Sequence, residues 1–126
     1  MQYANAAETY RRNQVLNASP EKLIVMLYDG AIGQLSRAHA ALQSGTSRQS
    51  AEVGIALGKA MAIIGELRSS LDTERGGDIA QNLDRLYDYC LDGIFTTNVE
   101  RKPEPIEAPI RVMRTLKEGW DAIVAV

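Results

Sequence analysis

This chain is poor in the residues that most catalytic chemistry requires. Its 126 residues hold one cysteine, Cys90, and one histidine, His39. A single cysteine excludes an internal disulfide, and Cys90 stands inside an apolar helical pattern, where a thiol acts as a small hydrophobe. Zinc centres draw on several Cys and His ligands, and here there is one of each. Di-metal carboxylate bundles need Glu-x-x-His on paired helices, whereas Ser36 stands three residues before His39. No stretch is apolar over the length of a membrane span. The first residues lack the basic start and apolar core of a signal peptide, so the expected location is the cytosol. Neither sign of charge dominates: 14 Lys and Arg face 16 Asp and Glu, for a net charge of -2. Such a balance gains little from a nucleic-acid backbone or an anionic membrane surface. Arg11-Arg12 and Arg101-Lys102 are pairs rather than patches. No alternating strand pattern occurs, and without a strand no Gly-rich phosphate loop has its setting.

Helical periodicity is abundant. Residues 1–18 are polar and small apart from Tyr3, Tyr10, Val15 and Leu16, and read as a mobile arm with a short helix around Ala6 to Arg12. A helix start follows: Ser19 as N-cap, Pro20 in the first turn, Glu21 at the positive end of the helix dipole. Ile24, Leu27, Tyr28, Ala31, Leu35, Ala38 and Leu42 then recur at spacings of three and four, predicting a helix over 20–43 that ends at Gly45. A second helix is expected from about Ser47 to Leu71, with Val53, Leu57, Ala60, Ile64, Leu67 and Leu71 as its inner stripe. Gly54, Gly58 and Gly65 interrupt it, at roughly 1 kcal/mol each against Ala. Close packing or a ligand groove would account for them.

Asp72 to Gly77 reads as a turn. Asp78 then caps a third helix, with Gln81 placed for a reciprocal bond. Ile79, Leu83, Leu86, Cys90 and Ile94 form its stripe, widened by Tyr87 and Leu91. Tyr87 and Tyr89 lie about 200° apart around that helix, so both cannot face one core. Tyr87 is the inward candidate and Tyr89 the exposed one. Pro103, Pro105 and Pro109 place the start of the last helix either at Pro105, with a kink, or at Pro109. Ile110, Met113, Leu116, Trp120 and Ile123 form its inner face. Short connections make neighbouring helices antiparallel. The expected fold is all-α: a single domain comprising an arm (1–18) and an antiparallel up-down four-helix bundle (19–126).

One catalytic reading exists. A lone histidine on a bundle of this size suits a phosphorelay carrier, but such domains set a lysine close behind the histidine. His39 is followed by Ala40, Ala41, Leu42 and Gln43.

Two blocks of sequence carry a more specific signal. Tyr10, Val15, Ala18-Ser19-Pro20, Leu23 and Met26-Leu27-Tyr28-Asp29-Gly30-Ala31 form the first. Leu71-Asp72-x-Glu74-x-Gly76-Gly77-Asp78-Ile79-Ala80-x-Asn82-Leu83, followed by Leu86-Tyr87-Asp88-Tyr89, forms the second, and Trp120 accompanies them. In order and spacing they resemble the FliS-type flagellar secretion chaperones. The resemblance implies a cytosolic helical bundle without cofactor or enzymatic activity. It implies binding to the disordered C-terminal segment of flagellin, prevention of premature polymerisation, and delivery to the flagellar type III export gate. It assigns gate docking to Tyr10. The flagellin-binding candidates on matching helices are Leu23, Met26, Leu27, Tyr28, Asp29, Ile64, Leu67, Tyr87 and Tyr89; of these, Leu23, Leu27 and Tyr87 are as well suited to the core. An anti-sigma factor or a co-chaperone is a further partner class that the resemblance leaves open. Departures gather at the C-terminal end: the Pro-rich stretch replaces an uninterrupted acidic helix start, and Asp92-Gly93 stands where basic residues are common.

Overall fold

The structure is a computed structural model that describes residues 6, 8, 9, 12, 18–45 and 50–124. Ala6, Glu8, Thr9 and Arg12 are helical and exposed. Four long helices follow: α1 (Pro20–Gln43), α2 (Ala51–Ser69), α3 (Thr73–Glu100) and α4 (Glu107–Val124). A 3-10 turn, Glu104–Ile106, leads into α4. There is no strand among the described residues.

The helix ends follow from local chemistry, with three differences from the periodicity. In α1 the Ser19 hydroxyl accepts from the Lys22 N–H at 3.2 Å, and Gly45 takes a left-handed φ of 73° beyond the far end. The second helix begins later than Ser47. Its cap is Ser50, whose hydroxyl accepts from the N–H groups of Glu52 and Val53 at 3.1 and 3.4 Å and so satisfies two orphan donors. The third helix begins earlier than Asp78. Asp72 caps it, accepting from the Arg75 N–H at 3.0 Å, and one helical turn forms before Gly77 breaks the run with φ 53° and ψ −129°. The last helix uses neither expected start. The 3-10 turn absorbs Pro105, and Pro109 falls in the first turn of α4, where an N–H has no intrahelical partner to lose.

Side-chain contacts fix an antiparallel register. Gly30 faces Ile63. Arg68 bonds Asp84 while Gly54 abuts Arg101. His39 meets Glu107, and Asp29 meets Lys117. Each helix thus runs back along its predecessor, and α4 closes the ring against α1. Inside lie Tyr28, Leu35, Leu42, Val53, Leu57, Ile64, Cys90, Ile94, Ile106 and Met113, all essentially inaccessible. Each fully buried large side chain contributes about 1.5–3 kcal/mol.

Two stripe positions are largely exposed. Ile79, directly after the Gly77 break, is 73% exposed. Ile123, in the last turn of α4, is more than half exposed. Close packing accounts for only one of the three α2 glycines. A Cβ at Gly54 would lie 3.3 Å from the Arg101 guanidinium, whereas Gly58 and Gly65 have nothing within 4 Å.

Candidate functional site: an apolar groove at one end of the bundle

The end of the bundle formed by the start of α1, the end of α2, the start of α3 and the end of α4 is incompletely closed. It holds a groove of about 400 Å³. Ile24 comes from α1, Leu67 from α2, Leu71 from the turn between α2 and α3, and Trp120 from α4. From α3 come Arg75 and Gly76 before the break, and Ile79, Ala80, Leu83 and Tyr87 after it. The lining is mostly apolar, with Ser70, Asp72 and Arg75 as its polar members. The turn of α3 before the Gly77 break borders this opening, and Ile79, just after the break, stays exposed beside it.

The groove has a fixed floor. The Tyr87 ring lines it, and the Tyr87 hydroxyl is 2.5 Å from that of Tyr28 in a buried hydrogen bond between α3 and α1. Burial pushes the Tyr87 hydroxyl well above its ordinary value, with the Tyr28 bond adding to the effect. Burial also raises Tyr28, against opposing contributions from Tyr87 and Trp120. Both phenols therefore stay neutral and serve as polar pins in an apolar wall.

Charged clasps brace the sides. Arg68 on α2 bonds Asp84 at 2.7 Å and Asp88 at 3.3 Å on α3, and the Arg68 bond holds the Asp84 carboxyl below its ordinary range. Lys117 on α4 bridges Asp121 at 2.8 Å and Asp29 at 3.4 Å. Further apolar surface lies outside the groove. Leu86, Tyr89, Val112 and Leu116 border a cleft of about 320 Å³ between α3 and α4. Phe95 and Val99 project from α3 and Ile55 from α2.

The expected site residues divide by burial. Leu23, Met26 and Leu27 are half-buried at the start of α1, and Asp29 is exposed beside Lys117. Leu67 and Tyr87 are buried but present an edge to the groove. Tyr89 is half exposed at the α3/α4 cleft. Tyr28 and Ile64 have no accessible surface, so they shape the site from beneath rather than line it. Tyr10 lies outside the described residues. Sequence reasoning missed Ile24, Leu71, Ile79, Leu83 and Trp120 as groove residues because helical periodicity assigns them all to the core. The adjacent Gly76-Gly77 pair was the available signal that the stripe is interrupted there.

Other chemistry has little purchase. Among the described residues no group of three His, Cys, Asp or Glu side chains is placed to hold a metal ion. The Cys90 thiol is inaccessible, and burial pushes it up to about 12. His39 Nε2 lies 3.1 Å from the Glu107 carboxylate. The fold brings Arg111 and Arg114 near that histidine across the α1/α4 cleft, but the carboxylate occupies the nitrogen and would repel a phosphoryl group. No described helix is long and apolar enough to cross a membrane.

The described residues thus form a helical bundle with an apolar groove at one end, and comparison with known proteins places the chain in a family. Residues 3–126 match the family described as flagellar protein FliS. The chain is 42% identical to the flagellar secretion chaperone FliS of Vibrio cholerae, over 88% of this chain and 79% of that one. It is 39% identical to flagellar secretion chaperone FliSB of Pseudomonas aeruginosa, over 87% of this chain and 85% of that one. The FliS of Salmonella typhimurium is 37% identical, over 93% of this chain and 85% of its own. The chain therefore belongs to the FliS family of flagellar secretion chaperones.

Proposed function

We propose that this chain acts in the cytosol, without enzymatic activity, by seating the C-terminal segment of flagellin on the apolar surface of its bundle. Held this way, the segment cannot pair with other flagellin subunits before export. The observation that carries the reading is the groove of about 400 Å³ walled by Ile79, Leu83, Leu71 and Trp120. An amphipathic segment that folds on binding presents apolar side chains at helical spacing, and such a groove accepts them. Ordering the segment costs about 2–5 kcal/mol of the gross interaction. That cost keeps the complex dissociable at the export gate even where the contact area is large. Leu23, Met26, Leu27, Asp29 and Tyr89 extend the contact surface around the groove. Tyr28, Ile64, Leu67 and Tyr87 hold its shape. Tyr10 remains the docking residue for the gate protein, and an anti-sigma factor or co-chaperone would bind away from the groove.

Ile79→Asp tests this directly. The side chain is largely solvent-exposed, so the bundle tolerates the change while a charge enters the groove wall. Affinity for a peptide of the flagellin C-terminal segment, followed by emission of the single tryptophan Trp120, is expected to fall at least tenfold. Unchanged affinity would remove the groove from the binding surface.

A further inference from the structure

The groove wall contains a break in α3 that rests on two adjacent glycines. The first turn of α3 is a closed unit: Asp72 caps it through the Arg75 N–H, and the Gly76 N–H donates to the Asp72 carbonyl at 2.8 Å. Gly77 then takes φ 53° and ψ −129°, a region that only glycine adopts without strain. Gly76 is constrained independently, since a Cβ there would lie 2.7 Å from the Ala80 Cβ. In an unbroken helix the same two Cβ atoms, four residues apart, would sit about 5–6 Å from each other. Two adjacent positions thus each exclude a side chain from the broken form, for different reasons, and neither excludes one from a continuous helix. All residues from Asp72 to Ile79 are exposed, so the turn is only lightly packed.

We propose that Gly76-Gly77 is a two-state hinge that controls occupancy of the groove, a proposal that rests on the flagellin reading above. In the broken form Asp72, Arg75 and Gly76 fold across the end of the groove as a wall, and this is the form that holds client. In the straight form Gly77 becomes helical, the first turn swings onto the axis of α3, and the groove loses that wall. Straightening is the route by which client leaves. A ligand that contacts the wall binds the broken form better and shifts the population towards it.

The test compares the unsubstituted chain with Gly76→Ala/Gly77→Ala. The double substitution favours the straight form through both local constraints. It is expected to raise helix content, leave the melting temperature undiminished, and speed dissociation of a flagellin C-terminal peptide at least tenfold. Gly119→Ala serves as control, because Gly119 is exposed on α4 with nothing within 4 Å. It should raise the melting temperature without changing dissociation. Spin labels at Glu74 and Lys22, in a Cys90→Ala background, read the hinge itself. Client should narrow their distance distribution to one population in the unsubstituted chain and leave a second, longer one in the double variant. Equal dissociation rates for the two chains overturn this proposal alone. No peptide binding by the unsubstituted chain overturns the flagellin reading and the hinge with it.

Discussion

The Tyr28–Tyr87 hydroxyl pair joins α1 to α3 beneath the groove, and it decides whether the floor is rigid. Tyr87→Phe keeps the ring and leaves the buried Tyr28 hydroxyl without its phenolic partner. Leaving a buried hydroxyl unsatisfied costs about 1–3 kcal/mol, and with Trp120 also beside the Tyr28 hydroxyl urea unfolding should show a loss towards the lower end of that range. Replacing both tyrosines by Phe should cost less than the sum of the single changes, since the orphan disappears. Strict additivity in that cycle would mean that the bond contributes nothing beyond the rings. Placing Tyr87 inside and Tyr89 outside was legible in the sequence, because 200° separates them on one helix. That Tyr87 would meet Tyr28 was not legible, since periodicity gives the facing side of each helix but not the height at which two side chains cross.

At the level of elements, the two departures near the C-terminal end explain one another. Gly93 on α3 is in contact with the Pro-rich entrance of α4: a Cβ there would lie 2.7 Å from the Pro105 carbonyl oxygen and 2.8 Å from Pro109 Cγ. The missing side chain admits the 3-10 turn that absorbs the prolines. Gly93→Ala should therefore destabilise the bundle by about 1–2 kcal/mol, overpacking outweighing the gain in helix propensity. Thermal or urea unfolding reads that sign, and a more stable variant would contradict the packing account. Helix α1 was fully legible, because Ser19-Pro20-Glu21 and Gly45 mark its ends with strong local chemistry. The start of α2 was not, since Ser47 and Ser50 are both competent caps in one polar turn and only folding selects between them. The first turn of α3 was hidden for a related reason. Asp72 to Gly77 reads as a turn and Asp78 as the cap, because Gly76-Gly77 signals a turn whether or not a helical turn precedes it.

For the whole molecule, the periodic stripes were sufficient to specify an antiparallel four-helix ring. The open end was not, because a groove is the difference between what periodicity buries and what the fold covers. Ile79 and Ile123 belong to apolar stripes yet stay exposed, and Leu71, Leu83 and Trp120 are only partly covered. The central claim is that this surface exists for the C-terminal segment of flagellin. Calorimetric titration of the chain with full-length monomeric flagellin, and with flagellin lacking that segment, tests it most directly. The account predicts binding near one to one with the full-length protein, a negative heat-capacity change from apolar burial, and no binding to the truncated form. Equal binding of both forms, or binding of neither, would contradict it.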